Sequence, residues 1–207
     1  MSFYGRIFAA LYDRFLSGSE EAGLADRRHE LLGGARGRVL EIGAGTGLNL
    51  RHYPSSVEEV VFTEPEEPMA RRLEQKLAGE ALKASVVRAP AEALPFPDDS
   101  FDTAVATLVL CTVEDPERAL SEIARVLRPG GQFLFLEHVR SEDEKLARWQ
   151  DRLLPLWKRI GHGCNCNRRT AALLDASPLA VEQLEHGELP KTPPLARPMI
   201  IGRAVAA

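Results

Sequence analysis

Three glycines at every second position follow an apolar run and an acidic residue in "VLEIGAGTG", residues 39 to 47. Glycine at Gly43, Gly45 and Gly47 directly after a strand lets backbone approach a ligand very closely. The spacing is G-x-G-x-G and not the dinucleotide pattern G-x-G-x-x-G, because Leu48 stands where that pattern has its last glycine. A phosphate loop would end in Gly-Lys-Ser or Gly-Lys-Thr, and this one ends in Gly-Leu-Asn. Glu41, two residues before the first glycine, would repel a pyrophosphate and suits a ligand carrying an ammonium or a sulfonium.

A second carboxylate, Glu64, closes the next apolar run. Beyond the end of a strand, beside a glycine loop, it is placed to accept both hydroxyl hydrogens of a ribose. The alternative is that it opens the acidic first turn of a helix with Glu66 and Glu67. Glu137 and His138 end a later run, "FLFLEH", and face the cleft or flank it. His138 is either a proton acceptor there or a histidine hydrogen-bonded into the sheet end. In "GHGCNCNRRT", His162, Cys164 and Cys166 invite a zinc reading. C-x-C with one histidine lacks the two spaced ligand pairs of a structural site, so no metal is assigned. Cys111, in an apolar run, reads as a small buried hydrophobe.

The elements that position these residues alternate. Strands are expected at 38–42, 57–63, 84–89, 101–107 and 131–138, with helices at 3–16, 20–32, 47–52, 66–78, 116–127, 143–160 and 168–176. Strands separated by helices make right-handed βαβ units and a parallel sheet covered on both faces. Two last apolar runs, 179–185 and 198–206, have a proline-rich connection and no helix between them, so they pair antiparallel. The fold class is α/β: a doubly wound, mostly parallel seven-stranded sheet with a C-terminal antiparallel hairpin.

Composition narrows the partners. The chain has 207 residues, 44% hydrophobic, which fits one domain. A net charge of −4 with both signs interspersed gives no basic patch for nucleic acid. Three cysteines, an odd number, fit a reducing cytoplasm. No apolar run approaches the roughly 18 residues of a spanning helix. "FYGRIFAALYDRFL" places Phe3, Ile7, Phe8, Leu11, Phe15 and Leu16 on one helical face. That face packs across the domain or lies on a membrane surface; its short length and two arginines disfavour the membrane.

"EIGAGTG", Glu64, "AEALPFPDDSFD" and "LRPGG", from about residue 38 to 138, together resemble class I S-adenosylmethionine-dependent methyltransferases of the type 11 domain, with a Rossmann-like fold. The resemblance implies that Glu41, Gly43, Ala44, Gly45 and Gly47 cradle the methionine part of S-adenosylmethionine and that Glu64 holds its ribose. Ala91 and Glu92 would border the adenine, with Glu92 replacing an aspartate that family members often carry at the position of Pro90. Thr107, Leu108 and Val109 would run beneath the cofactor, and Tyr12 resembles a tyrosine that lids it. The product would be S-adenosylhomocysteine.

"TLVLCTVEDPERAL", "FLEHVRS", "LPLWKRIGHGCNCNRRT" and "RPMIIGRAV" resemble the methyltransferase-like seven group, which includes alkyl thiol methyltransferases, and its bacterial relatives. Cys166 departs from the aliphatic residue expected in that pattern. This implies methyl transfer to an apolar small-molecule acceptor, a thiol first. A thiol, with a pKa near about 8.5, needs at most a modest base, whereas oxygen or carbon acceptors usually need a stronger one. The rivals are a quinone or phospholipid-headgroup methyltransferase and a non-catalytic S-adenosylmethionine-binding regulator; a dehydrogenase is disfavoured by the glycine spacing. In this reading residues 1–207 form one domain, with N-terminal helices (1–35), a cofactor-binding core (38–138) and substrate-side helices with the closing hairpin (139–207).

Overall fold

The computed structural model describes residues 3–207, and the side chains of residues 3–8 and 10 lie outside the described set. Seven strands form one sheet in the order β3-β2-β1-β4-β5-β7-β6. They are β1 (Gly37–Ile42), β2 (Val57–Thr63), β3 (Ala84–Val87), β4 (Phe101–Thr107), β5 (Leu127–His138), β6 (Leu179–Glu188) and β7 (Pro198–Ala206). The first five run parallel, and β7 lies antiparallel to both β5 and β6. The helices are α1 (Phe3–Ser19), α2 (Ala25–Leu32), α3 (Glu67–Leu77), α4 (Pro116–Val126), α5 (Glu144–Ile160) and α6 (Thr170–Asp175). The expected sheet, including its antiparallel close, is therefore present. Strand order reverses between β1 and β4, the switch point where open α/β sheets bind ligands at their carboxyl ends.

Two-residue periodicity sorts the strands' side chains onto two faces. Leu40, Ile42, Ala104, Ala106, Phe133 and Phe135 pack with Leu120 and Ile123 of α4 in the larger core. Val39, Val105 and Leu134 pack on the opposite face with Leu32 of α2 and Leu73 of α3. Glu41 and Thr107 follow Val39 and Val105 by two residues, so both side chains turn toward the face that α2 covers.

Two expectations change. Residues 47–52 form a turn and one 3-10 turn at Leu50–His52, not a helix. Gly47, at φ 81°, lies outside helical conformation. On α1, Leu11 is 39% and Phe15 68% exposed, so the apolar face is not packed across the domain at those residues. Phe3, Ile7 and Phe8 of the same expectation lie outside the described residues. Among the described residues no helix is long and apolar enough to cross a membrane.

Candidate active site

The glycine loop leaves β1 with Gly43 at φ 59° and Gly45 at φ 56°, left-handed conformations that side chains resist. The two glycines serve different needs. A Cβ on Gly43 would lie 2.7 Å from Val109 Cγ1, so that glycine lets β1 and the loop after β4 meet. A Cβ on Gly45 would find nothing nearer than Tyr12 Cε1 at 3.8 Å, so its surface is open to a ligand beneath Tyr12. Thr46 donates to Asp13, the neighbour of Tyr12, and ties α1 to the loop.

Beneath the loop, Glu41 is buried and accepts from Asn49 Nδ2 at 3.1 Å and Tyr53 Oη at 2.5 Å. Burial outweighs these donors and pushes its pKa up to about 7. Arg28 comes in from α2, also buried. Its Nη1 donates to Asn49 Oδ1 at 2.9 Å and Thr107 Oγ1 at 2.8 Å, and its Nε to Glu20 Oε1 at 3.0 Å. Tyr12, Arg28, Glu41, Gly43, Ala44, Gly45, Asn49 and Thr107 line one small pocket. Sequence reasoning missed Arg28 and Asn49. Nothing separates Arg28 from Arg27 in the sequence; only the helical phase of α2 selects which one turns inward.

Glu64 stands between the glycine loop and the start of α3. Its Oε2 accepts from the Gly45 amide at 2.9 Å and its Oε1 from the Glu66 amide at 2.8 Å, just before α3. Its carboxylate links glycine loop and helix start, and burial raises its pKa. Ala91 is buried, and Glu92 Oε1 accepts from the Glu114 and Asp115 amides at 2.8 and 3.3 Å. That bond joins the loop after β3 to the start of α4. Leu108, at φ 61°, turns the chain sharply after β4, and its amide donates to Leu136 O at 2.7 Å.

On the acceptor side Glu137 and His138 end β5 and take different hydrogen-bond partners. Glu137 is fully buried, with Oε1 accepting from the Val109 and Leu110 amides, both at 2.9 Å. It holds the loop after β4, and burial raises its pKa to about 7. His138 Nε2 lies 2.8 Å from Cys164 Sγ, so one of its two ring nitrogens already has a partner. Trp157 Nε1 donates to the same sulfur at 3.0 Å. Donation from Cys111, with that from His138 and Trp157, holds the Cys164 thiol down to about 5 against burial, while the same bond to Cys164, together with burial, pushes the Cys111 thiol well up.

Cys111 is buried in an apolar cluster, as expected of a small hydrophobe, and its sulfur also meets two other ligand-type side chains. The "GHGCNCNRRT" segment brings Cys164 to Cys111 and His138, while Cys166 packs in the same buried cluster as the other two cysteines without its sulfur joining that trio, and His162 Nε2 pairs with Glu66 Oε1 at 2.5 Å. The three groups stand far apart in the chain, which is why a search for local ligand spacing passes over them. A cavity of about 450 Å³ around Val139, Arg148, Arg169 and His186 shares no residue with the pocket under the glycine loop.

A switch-point glycine loop, an inward carboxylate before it and a second carboxylate after β2 define the class: an S-adenosylmethionine-dependent methyltransferase. A methyltransferase-domain family model matches residues 40–135. The chain is 37% identical over 171 residues to human thiol S-methyltransferase TMT1A, covering 81% of this chain and 70% of that protein. With human thiol S-methyltransferase TMT1B it shares 38% over 184 residues, 84% of this chain and 73% of that protein. A Cereibacter sphaeroides phosphatidylethanolamine N-methyltransferase matches less of both chains, 36% identical over 127 residues, 60% and 62%. An S-adenosylmethionine-dependent methyltransferase from Thermotoga maritima has the same fold, with a TM-score of 0.72 at 23% identity over 98% of each chain. The chain belongs to the methyltransferase family that includes these thiol S-methyltransferases.

Proposed function

We propose that this enzyme methylates the thiol of an apolar small molecule. The observation that carries the reading is the acceptor side. There Glu137 accepts from the loop amides through Oε1 alone, its Oε2 is buried without a hydrogen-bond partner, and the sulfur of Cys164 and the imidazole of His138 pair with each other, so the side offers at most a modest base. That environment supports an acceptor that ionises readily, as a thiol does. The extended likeness to TMT1A and TMT1B supports the same acceptor class.

S-adenosylmethionine supplies the methyl group, as a sulfonium whose sulfide leaves readily. The residues present fit it. Arg28 and Glu41 offer opposite charges for its carboxylate and ammonium, Gly45 an open backbone, and Glu64 a carboxylate for ribose hydroxyls. Ala91 and Glu92 flank the adenine side, Thr107 and Leu108 run beneath, and Tyr12 covers the loop. Aligning acceptor and methyl group about 3 to 3.5 Å apart supplies much of the rate in such a displacement. In this reading residues 38–138 hold the cofactor, while 1–35 and 139–207 close over it and form the acceptor side.

The test is transfer of labelled methyl groups to a panel of alkyl thiols, hydrogen sulfide, a demethylated quinone and phosphatidylethanolamine. Label on thiols alone supports the reading. Label on quinone or lipid and none on thiols overturns the acceptor. Cofactor binding without transfer to any member favours a regulator.

A further inference from the structure

We infer that Cys111, His138 and Cys164 form a zinc site whose open coordination position takes the acceptor sulfur. This deepens the thiol reading above and rests on it for the acceptor.

The ligand atoms of the three side chains lie within 4.8 Å of one another, and all three residues are buried. Two thiolates and an imidazole are a donor set that selects zinc, and three protein ligands with one position free is the pattern of catalytic zinc sites. Tetrahedral arms of about 2.0–2.1 Å to nitrogen and about 2.3 Å to sulfur separate two ligands by about 3.5 Å. His138 Nε2 and Cys164 Sγ stand 2.8 Å apart, so a rotamer adjustment of under about 1 Å opens room for the ion.

The convergence is built by polar side chains. Asn165 donates from its amide and from Nδ2 to the Cys111 carbonyl, at 2.8 and 3.0 Å, which ties one cysteine's segment to the other's. Arg168 Nη1 donates to the carbonyls of Leu110 and Val113, on either side of Cys111. Buried Gln150 Nε2 donates to the carbonyls of Val139 and Cys166 at 3.1 and 2.8 Å, joining the segment that follows His138 to the one that follows Cys164. The Trp157 indole donates to Cys164 Sγ, the kind of outer-shell bond that orients a metal ligand.

The location suits the reaction. Val109, two residues before Cys111, packs where a Gly43 side chain would be. His162, two residues before Cys164, pairs with Glu66, whose amide Glu64 holds. The cluster is thus bracketed by two edges of the cofactor cradle, and the apolar side chains of Leu154, Trp157 and Leu195 pack against it. A cysteine attacking the methyl donor itself would end as a stable thioether, so the cluster holds sulfur and does not carry the methyl. The acceptor R–SH binds the metal as R–S⁻ and its proton passes to solvent. A sulfur lone pair then forms the S–CH₃ bond as the C–S bond of the sulfonium breaks. The electron pair of that bond leaves on S-adenosylhomocysteine, and the thioether, a poor ligand, departs.

The test uses the full chain, purified without chelator or polyhistidine tag. Elemental analysis is expected to find about one zinc per chain. Cys111→Ser and Cys164→Ser should lose it, and Cys166→Ala should keep it. Trp157→Phe, which leaves the ligands in place, should weaken zinc affinity by about 10-fold or more against a chromophoric chelator. Co²⁺ in place of zinc should show a sulfur-to-cobalt charge-transfer band that an alkyl thiol shifts and the matching alcohol does not. Zinc content at background, or equal in wild type and both serine variants, overturns the site. Methyl transfer is assayed separately. Thiol methylation undiminished after zinc is stripped overturns the metal's role and leaves the thiol reading standing. A zinc-loaded enzyme that labels only quinone or lipid, with a cobalt band indifferent to thiol, overturns the acceptor part alone.

Discussion

Arg28 Nη1 lies 2.8 Å from Thr107 Oγ1, so a buried cation from α2 reaches the carboxyl end of β4, across the glycine-loop pocket from the Glu41 carboxylate. A cation and an anion in one small pocket match the two charges of an amino-acid group. Arg28→Met should weaken S-adenosylmethionine binding by about 1.5 to 3 kcal/mol, the scale of a hydrogen bond to a charged group. It also removes the hydrogen-bonded partner of buried Glu20 and leaves it only Arg51 at 3.9 Å, so the single variant should melt lower and Arg28→Met with Glu20→Gln should recover part of that loss. Calorimetric titration beside thermal melts separates the two effects. A dissociation constant unchanged in the folded double variant would remove Arg28 from the cofactor site.

Gly43 and Gly45 have nearly the same φ and different neighbours, which makes them a matched pair. Alanine at either position costs about 1 to 2 kcal/mol for the left-handed backbone. Gly43→Ala adds a clash with Val109 and should lower the melting temperature further. Gly45→Ala should melt at the higher temperature of the two and still lose cofactor affinity, because its new methyl occupies the ligand's surface. Equal cofactor affinity in Gly45→Ala and wild type would show that the open surface is not where the ligand lies.

Glu64→Ala should weaken cofactor binding by about 1 to 3 kcal/mol. The same change removes acceptors from the Gly45 and Glu66 amides, so the apo protein should lose stability too. Glu64→Gln keeps one acceptor and should recover stability more than affinity. Titration of both variants checks this, and wild-type affinity in Glu64→Ala would end the ribose assignment.

Much of this was legible in the sequence because the signals are local. Alternating runs located all seven strands, and the proline-rich connection foretold the antiparallel close. Gly43, Gly45, Glu41, Tyr12 and Thr107 were each singled out and fall in one pocket. What escaped is long-range. Arg28 depends on helical phase, Asn49 on the turn that replaces an expected helix, and the Cys111, His138 and Cys164 cluster on three segments whose meeting no spacing encodes. Glu137 and His138 are legible as neighbours at the end of β5, but their separate partners, the amides of Val109 and Leu110 for one and Cys164 for the other, come from distant segments.

The carboxyl of Glu41 makes the cofactor site pH-dependent in a definite direction. Its pKa in the folded protein is raised from 4.5 to about 7 by burial. The folded state thus holds a proton that the unfolded chain releases above pH 4.5. Its contribution to stability is fully present below that value and is lost as pH rises through about 7. At about 1.4 kcal/mol per pH unit the loss approaches about 3 kcal/mol once ionisation is complete. An ammonium group entering the pocket favours the ionised form, so the apo protein should lose stability over the same range in which cofactor affinity rises. Glu41→Gln should flatten both profiles, since a neutral amide neither ionises nor attracts the ammonium. Thermal melts and cofactor titrations between pH 5.5 and 8.5 measure the two trends. Affinity that is level across that range in the wild type, or that rises equally in Glu41→Gln, would place the ammonium away from this carboxylate.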